Sequence, residues 1–295
     1  MVTAPGPGAD ASLARAPRTA IAWRALRRFY DHQMTQHAAA LTYYAMLSLF
    51  PALLVAVALL GVFGQQGTVN DITSYLARHG APPAVLEPAR SLLRSAIRAG
   101  TGTVSATLVV SVALSLLGAS GAFASARRAL NAVYEVDEER PFVHRKLADV
   151  GATLVLIVLA LAILVLLFLG GGVAHDLFGA LDLGAAAANV WNIARWPAAL
   201  ALTLVAYAFV YATAPDLSES RWRTFSPGAL VAVPLWLAAS FGFWWYIKHI
   251  ADLAAYGAFG AAVALLIWLF LSNAALLLGA ELNATLSAAE ERGEA

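Results

Sequence analysis

The chain has 295 residues, 60% of them hydrophobic and only 13% charged, with a mean hydropathy of +0.71. Soluble domains carry about a quarter charged residues, so this composition excludes a soluble globular protein. The formal net charge of +1 comes from 19 basic and 18 acidic residues, and the absence of cysteine excludes disulfides, thiolate metal sites and a cysteine nucleophile.

Residues 1–20 are rich in Pro, Gly and Ala, lack the apolar run of a signal peptide, and read as a disordered tail. In "AWRALRRFYDHQM", Trp23, Leu26, Tyr30 and Met34 recur at helical spacing, while Arg24, Arg27, Arg28 and Asp31 fall elsewhere. This predicts a basic amphipathic helix over 21–37, lying in the cytoplasmic headgroup layer.

Residues 38–285 predict an all-α integral membrane domain, a six-helix bundle. Stretches free of Asp, Glu, Lys, Arg and His place spans at about 38–63, 103–126, 150–173, 196–214, 226–247 and 256–280. Each reaches the roughly 20 residues needed to cross the hydrocarbon core. Residues 286–295 form a C-terminal tail.

The first span, "TYYAMLSLFPALLVAV", carries hydroxyls and a proline. On a helical wheel Tyr44, Ser48 and Pro51 fall within about 60° of one another. Pro51 cannot donate to the Leu47 carbonyl, so the helix is expected to kink there, with Ser48 and the tyrosine hydroxyls as nearby partners. Thr42, Tyr44, Ser48, Pro51, Trp268 and Asn273 form a candidate polar crevice near the midplane, of the kind found at discontinuous transporter helices. The structural alternative is a kink that shapes the bundle, with Ser48 bonding its own backbone.

The first external loop, "AVLEPARSLLRSAIRAG", predicts an amphipathic helix over about 84–99. Arg90, Arg94 and Arg98 make a stripe that is a candidate set of phosphate contacts; a solvated face is the favoured alternative. In span two, Ser111, Ser115, Ala119, Ala122 and Ala126 recur every three or four residues as a helix-contact face, and Gly257 and Ala261 are four apart in span six. "VDEER" (136–140) reads as a solvated loop. "TFSPGAL" places Ser226 as N-cap, Pro227 at the first helical position and Phe225 against Leu230. Charged and amide groups gather at the cytoplasmic ends of spans two and six. Arg127, Arg128, Asn131, Glu135, Glu281 and Asn283 are a candidate gate, with Arg127 or Arg128 pairing with Glu281; interfacial anchoring is the alternative.

Thirteen Lys and Arg residues fall on the side of the termini and six on the other, so the positive-inside rule puts both termini in the cytoplasm. Trp191, Trp196, Tyr211, Trp222, Phe225, Trp244, Trp245 and Tyr246 read as interfacial aromatics.

"AAALTYYAMLSLFP", "SGAFASARRALNAVYEVDEERPF", "YATAPD", "RWRTFSPGALVAVPLW" and "YGAFGAAVALLIWLFLSNAALLLGAELNA" together resemble the YihY/BrkB family of bacterial inner-membrane proteins, over about residues 20–287. The matching positions are Tyr44, Ser48, Pro51, Gly121, Asn131, Pro141, Pro227, Gly228, Gly257, Trp268, Gly279, Glu281 and Asn283, none with a role that the family names. The resemblance implies a general link to serum resistance and to lipid or lipopolysaccharide export. The older ribonuclease BN label of family members reads as a misassignment.

The residues agree with a non-enzyme. His32, His37, His79, His144, His175 and His249 are scattered, and no H-x-x-x-H or D-x-D cluster appears. No catalytic residue, metal site or cofactor is expected, and G-x-x-x-x-G-K-[ST] is absent. The cytoplasmic loops are too short for a nucleic-acid face. Transport or translocation of lipid or another amphiphile across the cytoplasmic membrane is the leading expectation, ahead of a non-transporting scaffold or envelope-assembly factor, with a ribonuclease last. Membrane lipids are the expected partners, with a second copy of the chain or an envelope-assembly protein as further candidates.

Overall fold

The computed structural model describes residues 18–63, 106–168, 184–217, 227–249 and 257–291, with isolated positions between 70 and 94 and at 178. Seven long helices and no strand occur among the described residues: α1 (Arg18–Asp31), α2 (Met34–Phe63), α3 (Ala106–Tyr134), α4 (Phe142–Phe168), α5 (Gly184–Thr213), α6 (Pro227–His249) and α7 (Gly257–Glu291). The tail at 1–17, Pro88, Arg98, Trp222, Phe225 and Ser226 lie outside the described residues.

The apolar surface shows why this is a membrane protein. On α4, Val158, Leu161 and Val165 are each more than half exposed, on a helix that carries no charged residue after Asp149. A surface of that kind suits lipid and not water. Four described segments are long and apolar enough to cross a membrane: Phe142–Leu167, Ala186–Thr213, Pro227–His249 and Phe259–Ala289. Helices α2 and α3, at 30 and 29 residues, are as long as these.

Several elements depart from the expected ones. The break after the first helix falls at His32–Gln33 and not at 37, because Gln33 adopts a left-handed backbone (φ 53°) that ends α1. The buried face of α1 is Ile21, Ala25 and Phe29, whereas Trp23 and Tyr30 are 68% and 65% exposed. Helix α1 thus packs on the bundle with one apolar stripe and shows a second, aromatic one outward. Helix α3 runs eight residues past 126, and α7 continues to Glu291, into the expected tail. Both extensions carry side chains that find partners at this end of the bundle.

Helix α3 ends in a Schellman motif. The Val136 N–H donates to the Asn131 carbonyl at 3.0 Å and the Glu135 N–H to the Ala132 carbonyl at 3.3 Å. Glu135 holds the left-handed position (φ 54°) that glycine usually fills.

The closest packing uses small residues. A Cβ added to Gly118 would lie 3.1 Å from the Ser48 Cβ, and one on Gly121 3.2 Å from the Tyr44 ring. The α2–α3 contact is therefore centred on these two glycines, while Ala119 and Ala122 are only half-buried. Between α6 and α7 a Cβ on Gly228 would collide with the Gly279 carbonyl, which brings the two backbones together. Pro227 stands at the first position of α6 as expected, and the Gly228 N–H behind it donates to the Asn283 Oδ1 of α7 at 2.6 Å. An orphan donor of the α6 N-terminus is thus satisfied from a neighbouring helix. Leu230 is 60% exposed.

Candidate functional site

Ionisable side chains gather at one end of the bundle in two clusters. In the first, Glu281 of α7 is fully buried, its Oε1 2.7 Å from His32 Nδ1 and its Oε2 accepting from Arg28 Nε at 3.3 Å. Arg28 also donates to the Val133 carbonyl at 3.1 Å and to Glu135 Oε1 at 2.9 Å. Its fork therefore closes the end of α3 and holds the strained Glu135 in place. Next to it, the Tyr134 hydroxyl and the Asn283 side chain are hydrogen-bonded.

In the second cluster the buried charge is Arg127 of α3. It meets Asp149 of α4 through two bonds, Nε to Oδ1 at 3.0 Å and Nη2 to Oδ2 at 3.4 Å, and its Nη1 donates to Glu138 Oε2. Paired N–H bonds of this kind fix orientation as well as adding energy. Asn131 Nδ2 donates to the same Glu138 oxygen at 3.2 Å, and Arg140 Nε to Glu138 Oε1 at 2.8 Å. Arg140 also reaches the Ala214 carbonyl at 3.1 Å and Asp216 at 3.4 Å, while the Asp216 N–H donates to Asn131 Oδ1 at 2.8 Å. Burial would raise the Glu138 carboxyl, but Arg140 and Arg127 outweigh it and hold the group below its ordinary value.

These contacts correct two expectations. Neither Arg127 nor Arg128 pairs with Glu281; Arg28 and His32 from α1 do, because the turn at Gln33 folds α1 back over the end of α7. Residues 136–140 are not a solvated loop throughout. The extended segment alternates, turning Glu138 and Arg140 inward and Asp137 and Glu139 outward. Asp149, Glu138, Asp216 and His32 were not singled out from sequence. Asp149 could have been, as a carboxylate one turn from Thr153 at the edge of an apolar run, needing a cation.

The candidate crevice residues divide among three interfaces. Thr42 is buried, donates to the Ala38 carbonyl at 2.7 Å and accepts from Asn273 Nδ2 of α7 at 3.1 Å. Tyr44 and Ser48 pack on α3 at Gly121 and Gly118, and the Ser48 hydroxyl donates to the Ala45 carbonyl at 2.8 Å rather than to that of Leu47. Trp268 turns to α6, where its Nε1 donates to Ser240 at 3.1 Å; Trp236 reciprocates to Ser272 at 3.0 Å. Helix α2 continues through Pro51. Tyr211, expected at the interface, is buried and donates to the Leu276 carbonyl at 2.6 Å.

Of the external stripe, Arg90 sits 3.3 Å from Glu87 on a helical segment, Arg94 is helical and Arg98 lies outside the described residues.

A groove of about 570 Å³ opens sideways between α2 and α7, lined by Tyr43, Met46 and Leu47 on one wall and Leu266, Ile267 and Phe270 on the other. Thr42 lies at its edge.

Long apolar helices with lipid-suited faces, closed at one end by buried ion clusters, define a multi-pass α-helical membrane protein. The virulence factor BrkB family profile matches residues 25–295, and the chain belongs to that family. It is 29% identical over 263 residues to YfkH of Bacillus subtilis (strain 168), named a ribonuclease-like protein, covering 88% of this chain and 92% of that one. It is 29% identical over 269 residues to a UPF0761 membrane protein of Ralstonia nicotianae, and 30% identical over 278 residues to one of Xanthomonas campestris pv. campestris. These alignments cover 89% and 91% of this chain but only 57% and 61% of those relatives. No solved structure matches.

Proposed function

We propose that the chain is a non-enzymatic, six-span protein of the bacterial cytoplasmic membrane, with both termini in the cytoplasm, that moves a lipid or another amphiphile between leaflets without a nucleotide site of its own. Helices α2 and α3 supply the two spans beyond the four described, and the excess of basic residues on the side of the termini supports the orientation. One observation carries the transport reading: the α2–α7 groove has apolar walls with exposed Tyr43 and Leu47 on them, and Thr42, hydrogen-bonded to Asn273, is among its lining residues. In an apolar groove between long apolar helices the available occupant is an acyl chain, and the polar pair gives a headgroup a foothold.

A second reading, a membrane scaffold that holds a second copy or an envelope-assembly partner, is favoured by the division of Tyr44, Ser48 and Trp268 among separate packed interfaces. Translocation of labelled phospholipid in proteoliposomes separates the two. The transport reading expects movement above protein-free vesicles and its loss in Leu47→Trp, which narrows the groove. Movement no faster than in protein-free vesicles would leave the scaffold.

A further inference from the structure

A second concave site lies at the other face of the ion clusters, between α1 and the end of α7. It measures about 280 Å³ and is lined by Arg24, Arg27, Arg28, Asp31, Thr285 and Ala288. The three guanidiniums differ in what they already hold. Arg28 is committed to Glu281, Glu135 and the Val133 carbonyl. Arg27 meets Asp31 at 3.6 Å, but the two side chains are 77% and 62% exposed, and exposed pairs of this type contribute little. An incoming anion therefore competes with a weak partner. Arg24 lies one turn before Arg28, at the rim of the same concavity.

The helix that carries these arginines has three faces. Ile21, Ala25 and Phe29 bind the bundle. On the opposite side Trp23 and Tyr30, about 20° apart on the wheel, are exposed. Arg24 and Arg27 lie between the two. Exposed Trp and Tyr settle at the headgroup level of a bilayer, so this order sets the arginines at the depth of lipid phosphates. Guanidinium groups match phosphate oxygens with paired N–H bonds.

We infer that the α1–α7 concavity is a binding site for a phosphoryl group, filled by the headgroup of an anionic phospholipid. The site stands apart from the α2–α7 groove, and its test reads binding and not movement. Full-length protein is reconstituted in nanodiscs of phosphatidylcholine with graded phosphatidylglycerol, and retained lipid is counted by native mass spectrometry after release. Each Arg near an anionic surface contributes about a fivefold gain, so the double change Arg24→Gln with Arg27→Gln is expected to weaken retention of phosphatidylglycerol roughly 30-fold. Phosphatidylcholine retention is expected to stay unchanged. The double change Arg128→Gln with Arg145→Gln removes the same charge from the polar end outside this concavity and is expected to weaken retention much less, by the unspecific loss of surface charge alone. Equal loss in both double variants, or none in the first, would overturn the site, provided that each variant unfolds at the wild-type temperature. Inorganic phosphate titrated against the lipid distinguishes the sources. Displacement at matched concentration, dependent on Arg24 and Arg27, would keep the phosphoryl site and overturn the lipid as its occupant.

Discussion

Around Glu281 the buried group is a carboxyl met by Arg28 and His32, which reach it from the partly exposed α1; around Arg127 it is a cation enclosed by carboxylates from α4 and the segment after α3. Arg28 and His32 keep 31% and 21% of their side-chain surface, whereas Asp149 keeps 3%. The first cluster therefore has partners that solvent can receive if the contact is lost, whereas in the second Asp149 has no such recourse. A buried ion pair is costly to break chiefly because of what it leaves unpaired. By that measure the Arg127 cluster fastens helix to helix, and the Glu281 cluster fastens a surface helix to the bundle.

Breaking each cluster should separate them. Arg127→Met strands Asp149 and leaves Glu138 with Arg140 and Asn131, and is expected to cost about 3–5 kcal/mol, read as lost monodisperse protein and a lower thermal midpoint. Glu281→Gln keeps one acceptor for His32 and leaves Arg28 its bond to Glu135. It is expected to cost about 1–3 kcal/mol and to make α1 sensitive to protease while the spans stay intact. An equal loss in the two variants would erase the distinction.

The two left-handed residues sharpen it. A non-glycine residue in this conformation costs about 1–2 kcal/mol. Gln33→Gly is expected to raise stability by about 1 kcal/mol. Glu135→Gly relieves the same strain but removes the 2.9 Å partner of Arg28, so its gain should be smaller or vanish. Thermal unfolding of the pair, with and without Arg28→Gln, tests this.

The smallest effect concerns pH. Because Arg140 and Arg127 hold the Glu138 carboxyl below its unfolded value, the unfolded chain binds the extra proton first as pH falls. The stability that Glu138 contributes is present above the unfolded value and is lost as pH drops through the folded one. Glu138→Gln is expected to flatten the acid limb of the unfolding midpoint, and an unchanged limb would assign that slope to another group.

Sequence spoke clearly about the spans and poorly about their ends. An apolar run such as 150–168 has one physical solution, a lipid-facing helix, and α4 takes it. The ends depend on contacts between distant segments, and single-helix periodicity does not report these. The partner of Glu281 comes from 249 residues away in His32, and it could be reached only by knowing that Gln33 turns the chain. Alternation in "VDEER" was visible, since a period of two turns Glu138 and Arg140 to one side, but acidic composition spoke for solvent. The crevice grouping failed for a related reason. A wheel gives the direction of Tyr44 and Ser48 on α2 without saying that α3, and not α7, lies there.

The length of α7 bears on where a carboxylate can be kept. At about 1.5 Å per residue its 35 residues run about 52 Å, against a hydrocarbon core of about 30 Å. With Gly257 at the opposite boundary, Glu281, 24 residues and about 36 Å along the helix, lies beyond the thickness of the oil. In that placement its carboxyl is shielded by protein at headgroup depth and does not have to meet the energy of a charge at the bilayer centre. The last turns of α7 act as a post standing out of the membrane, against which α1 is moored.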